Sequence, residues 1–279
     1  DTVIVRPGKM PGVTISSIKG DDGKLPTDPQ RNTAAIAAAE TLKAAGIEAN
    51  IEIELHKGLP LCSGLGSSAA SAAAAAYATN QFIGSPLRKV ELIGPCIEAE
   101  AAVSGRHADN VAPALLGGLV LVRSTDPPDL IRLPLPEGLT VVVVTPQHAL
   151  PTKEARAVLP NEVPLSTMVA STAQVAGLVS ACYSGDLSLL SRSLDDKVVT
   201  PARIGLIPGG QNALDAALGA GALGASISGA GPSLFALCRS QRSAVAAAQS
   251  MQQAIEAEGV GANIHISPAN CPGVRRVKP

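Results

Sequence analysis

The sequence predicts a two-domain α+β protein, and three observations support that prediction. Its 279 residues, 46% of them hydrophobic, are enough for two ordinary domains with their own cores. Strand-like alternation and helix-like periodicity follow one another through the first half. After Pro146 the chain becomes richer in helices, with short strands towards its end. We therefore predict an N-terminal domain over residues 1–147 and a C-terminal domain over residues 148–279.

The first half is predicted to open with strands and to reach its first helix at Asn32. Apolar and polar residues alternate cleanly over 49–56, as in a half-buried strand. The first helix is predicted to end at Gly46, because glycine favours a helix C-terminus. The predicted strands are 2–5, 13–18, 49–56, 119–122 and 140–145, and the predicted helices are 32–45, 68–82 and 88–103.

The second half is predicted to begin with a loop over 151–165, because three prolines fall in that segment. A second loop is predicted over 201–210. The predicted helices are 166–183, 186–196, 211–219 and 241–258, and the predicted strands are 225–227, 234–238 and 262–267.

Composition excludes several classes of protein. With 22 basic and 23 acidic residues the net charge is −1, and only two Tyr, two Phe and no Trp are present, so we expect no nucleic-acid partner. The five cysteines are widely spaced without a C-x-x-C pair, which is typical of neither a disulfide framework nor a zinc site and favours a reducing compartment. We find no apolar run that approaches the length of a bilayer-spanning helix, so no membrane association is expected.

Residues 58–76, GLPLCSGLGSSAASAAAAA, carry the most chemical information. A strand leads into a glycine-rich loop, two serines and a strong helix. Glycines let backbone N–H groups approach a ligand closely, and the start of a helix leaves N–H donors free for an anion. No G-K-[ST] follows the glycines, so this is not a Walker A loop. The alternative interpretation is a glycine-rich turn whose serine merely caps a structural helix.

Several strings resemble the GHMP kinase family. Pro60-x-x-x-Gly-Leu-Gly-Ser-Ser-Ala-Ala resembles its phosphate-binding loop, and Ser228-Gly-Ala-Gly-Pro-Ser resembles its third, glycine-rich motif. Residues 98–118, with H-A-D-N-V-A-P-A and L-G-G, and the segments 151–156 and 201–209 resemble the homoserine kinases, above all those of plants. The resemblance covers essentially the whole chain. It implies ATP-dependent phosphorylation of the side-chain hydroxyl of L-homoserine to O-phospho-L-homoserine, in threonine biosynthesis.

The resemblance also implies the GHMP kinase fold. That fold has an N-terminal α/β domain like domain 2 of ribosomal protein S5, a C-terminal ferredoxin-like domain and an active site in the cleft between them. For the nucleotide, the implied residues are Asn32, Lys57, Pro60, Gly64, Leu65, Gly66, Ser67, Ser68, Ser228, Gly229 and Gly231.

A magnesium ion is implied as well, held by Ser68 and Glu100. The implied acceptor pocket consists of His107, Asn110, Thr152, Arg156 and Arg203, in which the arginines suit bidentate recognition of a carboxylate. Catalysis is assigned to Asn110, Arg203 and Glu100. Asp109 lies near the position of a catalytic aspartate in mevalonate-type relatives, but in homoserine kinases the resemblance favours positioning without a dedicated base.

The sequence departs from the family pattern in one motif, so alternative functions stay open. The family's first motif, an N-L-G-P-G-F-D-like string that supplies an asparagine and an aspartate to the amino-acid pocket, does not occur here. We expect that it precedes Asp1 in a longer parent, together with a plastid-targeting segment if the source is a plant; otherwise we expect a cytoplasmic enzyme. The alternatives are another GHMP kinase, of the mevalonate or diphosphocytidyl-methylerythritol type, or a catalytically impaired nucleotide-binding fragment. A homodimer is also suggested by the family.

Overall fold

The computed structural model of the protein describes residues 1–103 and 105–277, with the backbone alone at Thr152. The chain divides into two compact units. The first comprises residues 1–61, 66–132 and the C-terminal segment from Pro272, and the second comprises residues 62–65 and 133–271. The strand over Thr140–Pro146 pairs within the second unit. The domain boundary at 147/148 stays a prediction.

The first part of the chain builds a three-stranded sheet covered by helices. The strand order is β1-β3-β2, in which β1 is antiparallel and β2 parallel to β3, and β4 and β5 form a separate two-stranded sheet. A 3₁₀ turn at Lys89–Leu92 leads directly into α3. The elements are β1 (Thr2–Pro7), β2 (Val13–Lys19), α1 (Thr33–Ala44), β3 (Ile51–His56), α2 (Ser67–Phe82), α3 (Ile93–Ala101), α4 (Val111–Leu116), β4 (Leu119–Thr125) and β5 (Pro128–Leu133).

Alanine accounts for the close packing of these helices. Ala37 of α1 and Ala69, Ala72 and Ala76 of α2 are fully buried in one cluster with Ile97 of α3. Alanine has no side-chain rotamers to lose and lets helix backbones approach one another. The glycine-rich segment therefore leads into a helix whose position is fixed by its packing.

The second part forms a four-stranded antiparallel sheet in the order β7-β8-β6-β9, with α9 and α10 packed against it. Its core is made by Val142 and Val144 of β6, Leu234 of β8 and Met251 of α10. The elements are β6 (Thr140–Pro146), α5 (Thr152–Ala157), α6 (Leu165–Ser184), α7 (Leu187–Arg192), α8 (Val199–Arg203), α9 (Gly210–Gly219), β7 (Gly224–Ile227), β8 (Leu234–Cys238), α10 (Gln241–Glu256) and β9 (Ala262–Pro268).

Two predicted loops contain helices. α5 lies within 151–165 and α8 overlaps 201–210. Pro151 immediately precedes α5, and Pro201 lies in the first turn of α8, where a helix tolerates a residue without an N–H group. The prolines therefore mark helix starts at these two places rather than the absence of a helix.

α6 departs from the expectation about membranes. In the part of the chain that the structure describes, it is the one helix long and apolar enough to cross a bilayer by length and composition. It contains no charged residue, and only 11% of its most apolar 18-residue stretch is buried. The sequence analysis predicted this helix but did not identify it as a possible membrane span, because serines and threonines interrupt every apolar run. Length and composition alone do not make α6 a membrane span.

Candidate active site

Two glycine-rich motifs more than 160 residues apart meet in the second unit. The Ser228 hydroxyl donates to the Gly64 carbonyl at 2.9 Å, and the Ser233 N–H donates to the Ser63 carbonyl at 3.2 Å. Within the second motif, Ser228 and Gly231 close a tight turn through a hydrogen bond from the Gly231 N–H to the Ser228 carbonyl at 2.9 Å. The structure thus brings together the strings that were predicted to flank one phosphate site.

Gly64 leaves no room for a side chain at this contact. Its φ is +77°, and a Cβ atom there would lie 2.3 Å from the Ser228 carbonyl oxygen and 2.8 Å from that of Gly231. Gly229 and Gly231 also have positive φ. Glycine is therefore required at Gly64 both by the left-handed backbone and by the close approach of two chain segments.

The start of α2 has no side-chain cap. Its N-cap, Gly66, has a left-handed backbone (φ +65°) and provides no side-chain cap, and the first turn contains no acidic residue. The helix continues for 16 residues, so its N-terminus presents backbone N–H groups with partial positive charge. Asn110 lies against this point, because a Cβ on Gly66 would be 2.8 Å from its Oδ1. A residue predicted to bind phosphate and a residue predicted to bind the acceptor therefore lie next to each other.

Lys57 is held beneath the first turn of α2. Its ammonium donates to the Asp1 carboxylate, to the Ser67 carbonyl at 2.8 Å and to the Ser71 hydroxyl at 2.7 Å. The side chains of Lys57 and Asp1 are 1% and 0% exposed. Burial lowers the pKa of Lys57, and the carboxylate of Asp21 opposes that shift. These contacts tie the end of β3 to α2, and a role for Lys57 in the nucleotide pocket stays a prediction.

Two further predicted nucleotide residues, Asn32 and Ser67, form hydrogen bonds with nearby backbone groups. Asn32 is 3% exposed and caps α1: its Oδ1 accepts from the Ala34 N–H at 3.0 Å, while its Nδ2 donates to the Pro26 carbonyl at 2.9 Å. The Ser67 hydroxyl donates to the Leu59 carbonyl at 3.1 Å. Pro60 is exposed and Leu65 is partly buried in the loop between β3 and α2. Their proposed contacts with a nucleotide remain predictions.

The predicted metal ligands lie on two helices that pack together. Ser68 is partly exposed in the first turn of α2, whereas Glu100 is 4% exposed near the end of α3. Their neighbours Ala69 and Ala99 belong to the same core cluster. A hydroxyl and a carboxylate are hard oxygen donors of the kind that Mg²⁺ prefers. The residues present therefore fit such an ion.

The two arginines predicted to bind a carboxylate are near each other in the second unit. Arg203 is 8% exposed, and its Nε donates to the carbonyl of Ala155, the residue before Arg156, at 2.7 Å. Its Nη1 donates to the Gly229 carbonyl at 3.2 Å. Burial lowers the pKa of Arg203 and the charge of Arg156 adds to the shift, while Asp196 opposes it. Two neighbouring cations of this kind suit an anionic ligand.

His107 and Thr152 are the other residues predicted for the acceptor, and Asp109 is the neighbouring acid considered as a base. His107 and Asp109 are exposed in the segment before α4. A Cβ on Gly105 would lie 2.9 Å from the His107 ring, so the imidazole packs against that glycine. The side chain of Thr152 lies outside the described part of the structure, although its backbone begins α5.

Sequence reasoning missed four supporting residues, Asp1, Ser71, Ser233 and Asp196. Asp1 accepts from the Gly58 and Leu59 N–H groups at 2.9 and 3.1 Å, in addition to its pairing with Lys57. The Ser233 hydroxyl bonds to that of Thr145 at 2.8 Å. Local signals existed for three of them: Ser71 lies one helical turn after Ser67, Ser233 ends the second glycine-rich string, and Asp196 lies two to four residues before the N–H groups that it accepts from. The contacts of Asp1 join distant parts of the chain.

Comparisons with known proteins agree with this geometry. The family profile described as the GHMP kinases N terminal domain matches residues 32–118, and the GHMP kinases C terminal profile matches residues 178–257. The chain is 45% identical to a homoserine kinase of Chlorobium phaeovibrioides, over 94% of this chain and 85% of that protein. It is 47% identical to a homoserine kinase of Arabidopsis thaliana, over 91% of this chain and 70% of that protein.

A solved structure extends the likeness to three dimensions. The crystal structure of homoserine kinase from Cytophaga hutchinsonii matches with a TM-score of 0.94 at 47% sequence identity, over 97% of this chain and 86% of that one. The predicted GHMP kinase fold and the resemblance to homoserine kinases, a plant enzyme among them, are confirmed. The two matched domain profiles, the sequence identity and the backbone similarity show that the chain belongs to the GHMP kinase family and, within it, to the homoserine kinases.

Proposed function

We propose that the chain transfers the terminal phosphoryl group of ATP to the side-chain hydroxyl of L-homoserine and forms O-phospho-L-homoserine. The observation that carries the proposal is the junction of Ser63 and Gly64 with the Ser228–Ser233 turn, directly before the uncapped N-terminus of α2. Backbone donors at such a helix start favour an anion without a lysine of the Walker A kind. ATP dependence is common to the GHMP kinases, and the relatives above are homoserine kinases.

In this mechanism the chain contributes positioning and charge stabilisation. The first N–H groups of α2 and the backbone of the glycine loop would hold the terminal phosphates, and the dipole of α2 would favour their negative charge. Arg156 and Arg203 would bind the acceptor's carboxylate, with His107 and Thr152 as polar partners. Asn110, next to Gly66, would orient the acceptor hydroxyl. A loose transition state lets that hydroxyl lose its proton late, so a dedicated base is not required.

Ser68 and Glu100 would hold a magnesium ion. Such an ion would neutralise charge on the bound phosphates. Among the described residues no group of three or more His, Cys, Asp or Glu side chains could form a metal site. A two-ligand protein site suits Mg²⁺, which keeps water and phosphate oxygens in its coordination sphere.

A coupled ADP-release assay tests the substrate. The enzyme is made from the complete reading frame and offered homoserine, mevalonate or galactose with Mg-ATP. We expect kcat/KM for homoserine to exceed that for the other two by orders of magnitude, because only homoserine carries a carboxylate and an ammonium at the spacing of an amino acid. Equal or lower activity with homoserine would favour the other GHMP kinase types.

Calorimetry separates an enzyme from an impaired nucleotide-binding fragment. Residues 1–279 are titrated first with a non-hydrolysable Mg-ATP analogue and then with homoserine. The proposal predicts nucleotide binding to this segment. Because the family's first motif does not occur in residues 1–279, we expect this segment to bind homoserine weakly. Absence of nucleotide binding would contradict the proposed phosphate site.

We also propose that the protein is a homodimer that works away from membranes. The supporting observation is the face of α6, which is uncharged and exposes Leu165, Val169 and Tyr183 at 70%, 59% and 64%. A surface without charge suits a second copy of itself, and 20 residues give a contact about 30 Å long. Its compartment would be the plastid stroma in a plant and the cytoplasm otherwise, in keeping with five free thiols among the described residues.

A further inference from the structure

A single carboxylate fixes the first turn of α8, the short helix that ends in Arg203. Asp196 Oδ1 accepts from the N–H groups of Val198 and Val199 at 2.9 and 3.0 Å. Its Oδ2 accepts from the N–H and the hydroxyl of Thr200 at 2.7 and 2.9 Å. Burial raises the pKa of Asp196, but these hydrogen bonds outweigh it, so that the pKa is lowered overall. The carboxylate is therefore ionised wherever the protein is folded near neutrality.

The Thr200 hydroxyl links α8 to the neighbouring strand by hydrogen bonds. Its hydroxyl, which bonds to Asp196, also bonds to the hydroxyl of Ser226 at 2.8 Å. Ser226 lies in β7, two residues before the Ser228 turn that contacts Gly64. The cap of α8 is thus connected through two hydroxyl groups to the strand that leads into the glycine-rich turn.

The opposite end of α8 carries the functional group. The Arg203 guanidinium is inserted between α5 and the glycine-rich turn, where it donates to the carbonyls of Ala155 and Gly229. α8 has only five residues, too few to be stable without external contacts. The ion pairs of the described residues include none between Asp196 and Arg203, so Asp196 acts on the guanidinium through the helix and at longer range through its charge.

We propose that Asp196 is a positioning residue, which sets α8 so that Arg203 lies beside Arg156 and receives the carboxylate of the acceptor. This inference rests on the proposed function, in which the two arginines bind an amino-acid substrate. Asp196 has no contact with the reacting atoms in this account. Its loss should therefore weaken acceptor binding more than nucleotide binding, because Arg203 reaches the glycine-rich turn only through the Gly229 carbonyl.

The chain provides a matched control. Asp186 caps α7 in the same manner, because its Oδ1 accepts from the N–H groups of Ser188 and Leu189 at 2.9 Å. Both aspartates are exposed and both precede a helix of five or six residues, but α7 carries none of the proposed site residues. Asp186→Ala thus removes an equivalent cap without touching the arginines.

Steady-state kinetics on Asp196→Ala, Asp196→Asn and Asp186→Ala test the proposal. For Asp196→Ala we expect the KM for homoserine to rise roughly 10-fold or more, since small displacements of a positioning group have effects of that size. The KM for ATP should rise by a smaller factor than the KM for homoserine. Asp196→Asn keeps one acceptor oxygen and should lie between the wild type and Asp196→Ala. Asp186→Ala should keep the wild-type KM for homoserine. An equal KM for homoserine in both alanine variants would overturn the proposal.

An NMR measurement that requires no turnover tests the positioning role of Asp196 independently of the proposed function. The Nε–H proton of Arg203 is buried against the Ala155 carbonyl, so its NMR signal should exchange slowly with solvent in the wild type and in Asp186→Ala. Faster exchange in Asp196→Ala is expected, and unchanged exchange would contradict the positioning role.

If Asp196→Ala does not fold, Thr200→Val removes the hydroxyl link alone. It is expected to raise the KM for homoserine and to speed the exchange of the Arg203 Nε–H proton; no change in either would overturn the proposal. A wild type inactive towards homoserine, yet with the expected exchange difference, would count against the function and not against the positioning.

Discussion

Burial distinguishes Glu100 from a neighbouring acid on the same helix. Glu98 pairs with Arg106 at the surface, with 42% of its side chain exposed, whereas Glu100 is 4% exposed among the helices that carry the phosphate-binding segment. A carboxylate is kept at such a position only where charge or hydrogen bonding compensates for its desolvation. This contrast favours Glu100 over Glu98 as the proposed metal ligand.

Glu100→Gln should lower kcat on the order of 10²-fold or more, the scale of losing one electrostatic stabiliser of the transition state. The amide keeps the size of the side chain and removes its charge. Glu98→Gln is the matched control and should keep the wild-type kcat. Turnover close to wild type in Glu100→Gln would remove this residue from the metal site.

Individual residues were predictable where a motif defines the backbone conformation. They were less predictable where the direction of a side chain determines its contacts. Gly64 and Ser228 were both singled out from the sequence, and the structure brings them into contact. Lys57 was assigned to the nucleotide from the family resemblance, and the structure adds that its ammonium is held by Asp1, 56 residues away in sequence. A contact of that length leaves no local pattern, so only the folded structure reveals it.

At the scale of the element, the glycine-rich turn depends on the close approach of two backbones. Gly64→Ala should lower kcat/KM for ATP on the order of 10²-fold, because a Cβ would displace the Ser228 turn and misplace the phosphate donors. Gly84→Ala is the control: Gly84 has a φ of +90° but open space around its Cβ position. Each variant carries a left-handed alanine, which costs about 1–2 kcal/mol. Equal kinetics in the two variants would show that the close approach is unimportant.

Strand β3 carries a charge network on its partly exposed face. Glu54 contacts Lys19 at 2.6 Å, His56 at 2.8 Å and Arg6 at 2.8 Å, and the hydrogen bonds from these groups, that of Lys19 foremost, lower the pKa of Glu54 well below its usual value. Since the folded-state pKa is the lower one, ionised Glu54 stabilises the fold above the ordinary glutamate pKa. That stabilisation is lost as the pH falls towards the folded-state pKa.

Thermal unfolding as a function of pH checks this network. Glu54→Gln should lower Tm at neutral pH, and its difference from the wild type should shrink as the solution is acidified. Glu52→Gln, on the same face of the same strand, is the control and should lower Tm less than Glu54→Gln at neutral pH. Parallel curves for Glu54→Gln and the wild type would contradict the assignment.

Long, strongly periodic elements were predicted well, and short ones near proline were not. The sequence predicted α2 and α10 because their patterns span several turns. α4 has six residues with Pro113 in its first turn, and β5 begins at Pro128. Both are stabilised by tertiary packing that leaves no local pattern, such as the burial of Leu115.

At the scale of the whole molecule, the uncharged face of α6 predicts self-association. Light scattering coupled to size-exclusion chromatography should give a dimer for the wild type and a monomer for Val169→Lys, because a buried lysine without a partner opposes the contact. Val245→Lys on α10, at a site 39% exposed in the wild type, is the control and should remain dimeric. A monomeric wild type would contradict the homodimer.

The fold class and the reaction class were both accessible from the sequence, because they depend on several motifs in a fixed order. The exposure of α6 was not, since serines and threonines hide its apolar face from a search for continuous apolar runs. Nor was the position of β6, whose sheet is completed by strands from the end of the chain.

Phosphorus NMR of the reaction products decides whether the enzyme phosphorylates homoserine. The enzyme from the complete reading frame is incubated with Mg-ATP and L-homoserine, and ADP and phosphorus products are quantified together. We expect a phosphomonoester coupled to the methylene protons of homoserine, formed in equal amount to ADP and absent without homoserine. ADP accompanied by inorganic phosphate alone, or formed at the same rate without homoserine, would contradict the proposed reaction.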